Sequence, residues 1–158
     1  MRNITITRID ERLIHGQIVT SWMKVTGVNT VIVVEDGVAK NDFLKRALRA
    51  TAPKGVEVLI LSVDECVNYL NEEKDEKQKI MIITKGPQGQ LALMEKGVPF
   101  TEIILGNMGM SSKRKRFTKN ISASDEELDV MRRITAAGVP IYQQMIPADA
   151  KVNIDKFL

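Results

Sequence analysis

The single histidine of this chain, His15, lies in the run Arg8-Ile-Asp-Glu-Arg-Leu-Ile-His-Gly-Gln17, beside two arginines, two acids and a glycine. These residue types suit phosphoryl transfer. A neutral imidazole is a competent nucleophile near neutral pH, and its N-phosphoryl form is reactive enough to pass the group on. Arg8 and Arg12 each offer a planar fork of donors to phosphate oxygens. Asp10 can orient the ring or hold an arginine in place. If His15 opens a helix, the amides of Gly16 and Gln17 are donors aimed at an arriving anion, and Gly16 lets it approach the backbone closely. Spacing alone leaves a second reading open, in which Arg8, Asp10, Glu11 and Arg12 form a surface salt-bridge network.

Two further segments can border the same place. Gly86-Pro-Gln-Gly89 and Gly106-Asn-Met-Gly109 each follow an apolar run. They read as plain turns, or, with Lys85, Asn107 and Met108, as the rim of an anion site. Neither continues into the Lys-Ser or Lys-Thr of a Walker phosphate loop, and neither is a dinucleotide fingerprint. Cys66 is the only cysteine, so no disulfide closes within the chain, and with His15 alone it gives no zinc spacing. No metal and no cofactor is expected.

The elements that must position these residues alternate. Ile4 to Ile9 reads as a strand, and residues 15–26 as a helix with Ile18, Trp22 and Val25 on one face. Strands follow at Thr30 to Glu35, Val56 to Leu61, Ile80 to Ile83, Ile103 to Leu105 and Pro140 to Met145. Helices are expected from Asn41 to Ala50, from Ser62 to Asn71, from Pro87 to Lys96 and from Ser124 to about Gly138. Ser62 with Glu65, and Ser124 with Glu127, have capping-box spacing. Val152 to Leu158 is expected to form one short helix. Such a βαβ series implies a doubly wound parallel sheet, whose ligand crevice lies at the carboxyl ends of the strands. The loop carrying His15 is at that edge.

Composition bounds the rest. A length of 158 residues fits one domain, with 44% hydrophobic and 27% charged residues. No apolar run approaches a bilayer span, no signal peptide is evident, and a lone cysteine suits the reducing cytosol. The net charge is +3. Lys113, Arg114, Lys115, Arg116 and Lys119 fall within seven residues, and without them acids outnumber bases. That reads as one local patch on a nearly neutral protein. It fits a solvated loop, or a docking surface for an acidic partner or a membrane face. It fits nucleic acid poorly, since Phe117 alone adds aromatic surface.

The segment from Arg8 to Val19 resembles the phosphorylation segment of the IIB components of the mannose/fructose/sorbose family of the bacterial phosphoenolpyruvate-dependent sugar phosphotransferase system. Lys85-Gly-Pro87, Asn107-Met-Gly109 with its basic loop, and Gln144-Met-Ile-Pro-Ala-Asp149 are similar to later family segments. The resemblance implies a single three-layer α/β/α domain over 1–158, with a mostly parallel sheet of about six to seven strands. It implies that His15 is phosphorylated through Nδ1 by a phosphohistidine of a IIA partner and passes the group to a sugar presented by membrane IIC and IID subunits. Asp10 and Arg12 match the active-site pattern, with Arg8 nearby. The protein is then a cytoplasmic phosphotransferase held at the inner membrane face by its transporter subunits. The wording Gly106 to Met110 is nearest members serving N-acetylgalactosamine or related amino sugars. The sequence leaves open the sugar, the IIA partner and self-association. Two rival readings are a regulatory module that senses an anion in the same pocket and a nucleic-acid-binding domain.

Overall fold

The computed structural model describes all residues 1–158. Strand β1 (Ile4–Asp10) leads through a short loop into α1 (Gly16–Thr26), then β2 (Thr30–Val34), a single turn α2 (Asp36–Ala39), α3 (Asp42–Thr51), β3 (Glu57–Leu61) and α4 (Val63–Leu70). There follow β4 (Ile80–Thr84), α5 (Pro87–Glu95), β5 (Ile103–Asn107), a hairpin of β6 (Lys115–Arg116) and β7 (Ser122–Ala123), α6 (Asp125–Ala136), β8 (Ile141–Gln143) and β9 (Val152–Asn153).

The main sheet runs β3-β2-β4-β1-β5-β8-β9. Its first six strands are parallel, and β9 closes the edge antiparallel to β8. Apolar clusters lie on both faces. One packs α1, α2 and α3 against Val31, Val33, Met81 and Ile83. The others pack α4, α5 and α6 against Ile32, Ile82, Ile9 and Leu105. The fold is therefore a three-layer α/β/α sandwich. A strand covered on both sides loses the in-out alternation of a half-exposed one. All five residues of β2 and of β4 are buried, and so are the last five of β1 despite its alternating sequence.

Local chemistry sets the helix starts. The Asn41 side chain accepts from the Leu44 amide, and Ser62 with Glu65 and Ser124 with Glu127 form complete capping boxes. Two expectations change. Val25 points outward, 69% exposed, while Val19 and Trp22 fill the core face of α1. The tail is not one helix: Val152 and Asn153 pair with Gln143 and Tyr142, and only Ile154–Phe157 forms a 3₁₀ turn.

Candidate active site

β1 and β4 are neighbours in the sheet, but the helices that follow them lie on opposite faces. The gap between their carboxyl ends is thus a topological switch point. Helices α1 and α5 start there, and they differ from the capped helices. His15 and Gly86, their N-cap residues, provide no side-chain cap, and neither first turn holds an acid. By contrast α3, α4 and α6 have both a side-chain cap and acids. Free amide donors and the positive end of the dipole are left at α1 and α5.

The loop that carries His15 is tied down from three directions. The Glu11 amide donates to the Asn107 carbonyl at 3.0 Å. Asp10 Oδ1 accepts from the Arg12 amide at 3.0 Å, and the Asp10 carbonyl accepts from the Leu13 amide at 2.9 Å. Thr51 Oγ1, at the end of α3, donates to the Ile14 carbonyl at 3.4 Å. Leu13 is the sole non-glycine residue with a left-handed backbone, at φ 59°, and its side chain is buried in the core. Such a backbone costs about 1–3 kcal/mol and persists only where the surroundings impose it. At Gly16 a Cβ would stand 2.9 Å from the Thr51 carbonyl oxygen, so the loop and α3 meet backbone to backbone.

The expected site residues divide sharply. His15 and Gly16 are half-buried at the start of α1, and Arg12, Gln17 and Lys85 are exposed at the same edge. Asn107 is half-buried beside Glu11. Arg8 is not free to receive phosphate. Its guanidinium is 1% exposed, bonds Asp10 Oδ2 through Nε and Nη2 at 3.3 Å each, and donates to the Gln144 carbonyl at 3.1 Å. Burial pushes its pKa down, and the Asp10 carboxylate opposes this. Of the two tasks open to Asp10, the geometry selects holding an arginine, and the pair is buried instead of being part of a surface network. Met108 is no rim residue either. It is fully buried with Ile9, Leu105 and Met131, whereas Met110 is exposed. Gly106 belongs to β5 and not to a turn, and Gln90 Nε2 supports β1 from below through the Arg8 carbonyl.

Arg114 is the residue that sequence reasoning misplaced. It was grouped with a surface patch, yet its guanidinium forms a two-pronged pair with Glu127 at 2.8 Å and also bonds Glu11 at 2.5 Å and the Gly109 carbonyl at 3.0 Å. Burial raises the pKa of Glu11, but the Arg114 bond, the Gly109 amide and the charges of Arg114 and Lys85 outweigh it and hold the carboxyl below its ordinary range. Glu127 is likewise lowered, its burial outweighed by Arg114 and the Ser124 cap. A Cβ on Gly109 would lie 2.6 Å from Glu11 Oε1, so a side chain there would push the Glu11 carboxylate aside. No local pattern announces this bridge, because Arg114 and Glu11 are 103 residues apart.

The family model described as "PTS system sorbose subfamily IIB component" matches residues 4–158. The chain belongs to this family. It is 30% identical to the fructose-specific EIIB component of Bacillus subtilis, over 100% of this chain and 97% of that one. It is equally 30% identical to the N-acetylgalactosamine-specific enzyme IIB component 2 of Escherichia coli, over 100% of both. The crystal structure of the IIBSor domain of the sorbose permease from Klebsiella pneumoniae superposes with a TM-score of 0.91 at 28% identity, covering 98% of this chain and 95% of that one. The chain is thus a IIB component of a sugar phosphotransferase system, a phosphotransferase acting in sugar transport. IIB components work with IIA and membrane IIC and IID partners. No helix here is long and apolar enough to cross a membrane.

Proposed function

We propose that this IIB component carries the phosphoryl group on His15 over a single domain spanning 1–158. The observation that supports this most is the pair of uncapped helix N-termini flanking the crevice between β1 and β4, with the only histidine at one of them. The imidazole attacks the phosphorus of a phosphohistidine on a IIA protein. The new N–P bond forms as the donor's N–P bond breaks and its imidazole leaves. The amides of Gly16 and Gln17 and the exposed guanidinium of Arg12 stabilise the trigonal phosphoryl oxygens in flight. In the second step a sugar hydroxyl held by the IIC and IID subunits attacks the same phosphorus, the hydroxyl proton is lost, and His15 is restored. Asp10 acts by holding Arg8 and the Arg12 amide, and Lys85 and Asn107 border the anion. The protein works on the cytoplasmic side, where IIA is charged. Its relatives at 30% identity serve different sugars by name, so an amino sugar such as N-acetylgalactosamine is one candidate among the hexoses.

The test is intact-protein mass spectrometry after incubation with phosphoenolpyruvate, the general phosphotransfer proteins and a IIA protein of the family. One acid-labile phosphate is expected, and none on the His15→Ala variant. Equal labelling of that variant overturns the assignment.

A further inference from the structure

The net charge has a second source. Between Lys40 and Lys54 lie five cations (Lys40, Lys45, Arg46, Arg49 and Lys54) against one acid, Asp42. None of the five is in an ion pair, although Arg133 and Lys96 elsewhere on the surface have carboxylate partners at 3.1 and 2.9 Å. The basic excess is therefore not confined to the loop after Met110.

Helix α3, which fills most of this segment, has no buried residue. Leu48 packs on the core, Lys45 is half-buried, and the remaining residues are exposed. Phe43, Ala47 and Ala50 recur at i, i+4 and i+7, which aligns them as one outward stripe. Phe43 is 69% exposed and Leu44 40%. Arg46 and Arg49 border the stripe. A short helix with an aromatic on its outer face and arginines alongside has the make-up of an interfacial helix. The ring enters the headgroup boundary, and the guanidinium groups pair with anionic headgroups.

We propose that α3 is a docking surface for an anionic phospholipid bilayer. The unpaired cations supply the charge complementary to anionic headgroups, and the exposed stripe of Phe43, Ala47 and Ala50 supplies the apolar contact. The end of α3 touches the His15 loop through Thr51, at Ile14 and Gly16, so a docked molecule holds that loop beside the membrane. The docking itself requires no phosphoryl chemistry.

Co-sedimentation of the full chain with phosphatidylglycerol-rich vesicles, against vesicles of phosphatidylcholine alone, tests this. Binding is expected to the anionic vesicles only, and to weaken as salt rises. Phe43→Ser/Arg46→Glu/Arg49→Glu should lower the affinity roughly tenfold or more. The milder Arg46→Gln/Arg49→Gln variant, with thermal melting unchanged, gives the same direction if the first fails to fold. Lys115→Glu/Arg116→Glu in the hairpin should bind like the parent, and His15→Ala should bind normally whatever becomes of the phosphocarrier reading. Equal binding to neutral vesicles, no binding to anionic ones, or a loss in the hairpin variant without one in the α3 variants overturns the proposal.

Discussion

The guanidinium of Arg8 occupies the space where a side chain on Gly106 would begin. The two residues lie on adjacent parallel strands, and the missing Cβ on β5 is what lets a charged side chain from β1 lie flat inside the sheet's cover. Gly106→Ala must therefore displace either the arginine or the strand. Overpacking of this kind costs about 1–3 kcal/mol. Urea denaturation checks it, and an unchanged midpoint would show that Arg8 has another place to go.

Asp10→Ala leaves the Arg8 charge buried with only the Gln144 carbonyl. Removing one partner of a buried pair costs about 3–5 kcal/mol. The double variant Arg8→Met/Asp10→Leu should recover much of that stability, because no lone charge remains. Recovery would identify the loss as electrostatic; a double variant as unstable as the single one would point to lost packing.

Acid should weaken the Arg114 bridge. Glu11 and Glu127 both have folded pKa values below the ordinary 4.5. Their stabilisation is complete above that value and disappears as the pH falls through the lowered folded values. Arg114→Met should cost about 2 kcal/mol at neutral pH, a figure kept low because Glu11 is partly solvated. The gap between variant and parent should narrow at about pH 3, as followed by urea titration at both pH values. A gap independent of pH would contradict the bridge as the cause.

Gly16→Ala sets a methyl group against the Thr51 carbonyl oxygen at 2.9 Å. Since both sides are backbone, the His15 loop has to move. Phosphoryl acceptance should slow by up to about a hundredfold, in line with an ångström-scale misplacement of a reacting group, and the overpacking should cost about 1–3 kcal/mol of stability. Quench-flow measurement of phosphate incorporation decides this.

Burial pushes the Cys66 thiol up to about 12. A thiol-specific reagent at pH 8 should leave the native protein unmodified and label it once denatured. Fast labelling without denaturant would mean that α4 opens readily.

The order of elements and most helix starts were legible because they rest on local signals. Asn41, Ser62 and Ser124 each act on an amide three residues on, and the apolar runs of β2 and β4 are unbroken. His15 at a helix start was legible from the helical spacing of Ile18 and Trp22 behind it. What escaped depended on distant partners. Arg8 and Arg12 look alike in sequence, and only the neighbours β4 and β5 decide that Arg8 points inward. Met108 and Met110 differ in exposure because Met108, just past the end of β5, packs with Met131 of the α6 layer while Met110 has no such neighbour in the core. Arg114 lies among exposed cations, and its carboxylates come from the other end of the chain and from a helix cap. The cations of α3 are spaced at helical intervals and make no dense run, so they did not register as a patch.

The hydrogen bond from Arg8 to the Gln144 carbonyl spans 136 residues. Synthesis proceeds from the N-terminus, so β1 emerges with none of its eventual neighbours present. Both flanking strands come from the second half of the chain, and the final acceptor for Arg8 follows later still. Contacts this remote are slow to form, and until they exist the loop ahead of α1 has its local restraints from Asp10 and Thr51 but lacks the Glu11–Asn107 bond and the final setting of Arg8. A ribosome-bound fragment ending short of Gln144 holds every residue of the His15 segment, yet it lacks the arrangement that makes the segment useful. The final setting of Arg8 beneath that segment is in this sense a late event in the protein's maturation, imposed by topology alone.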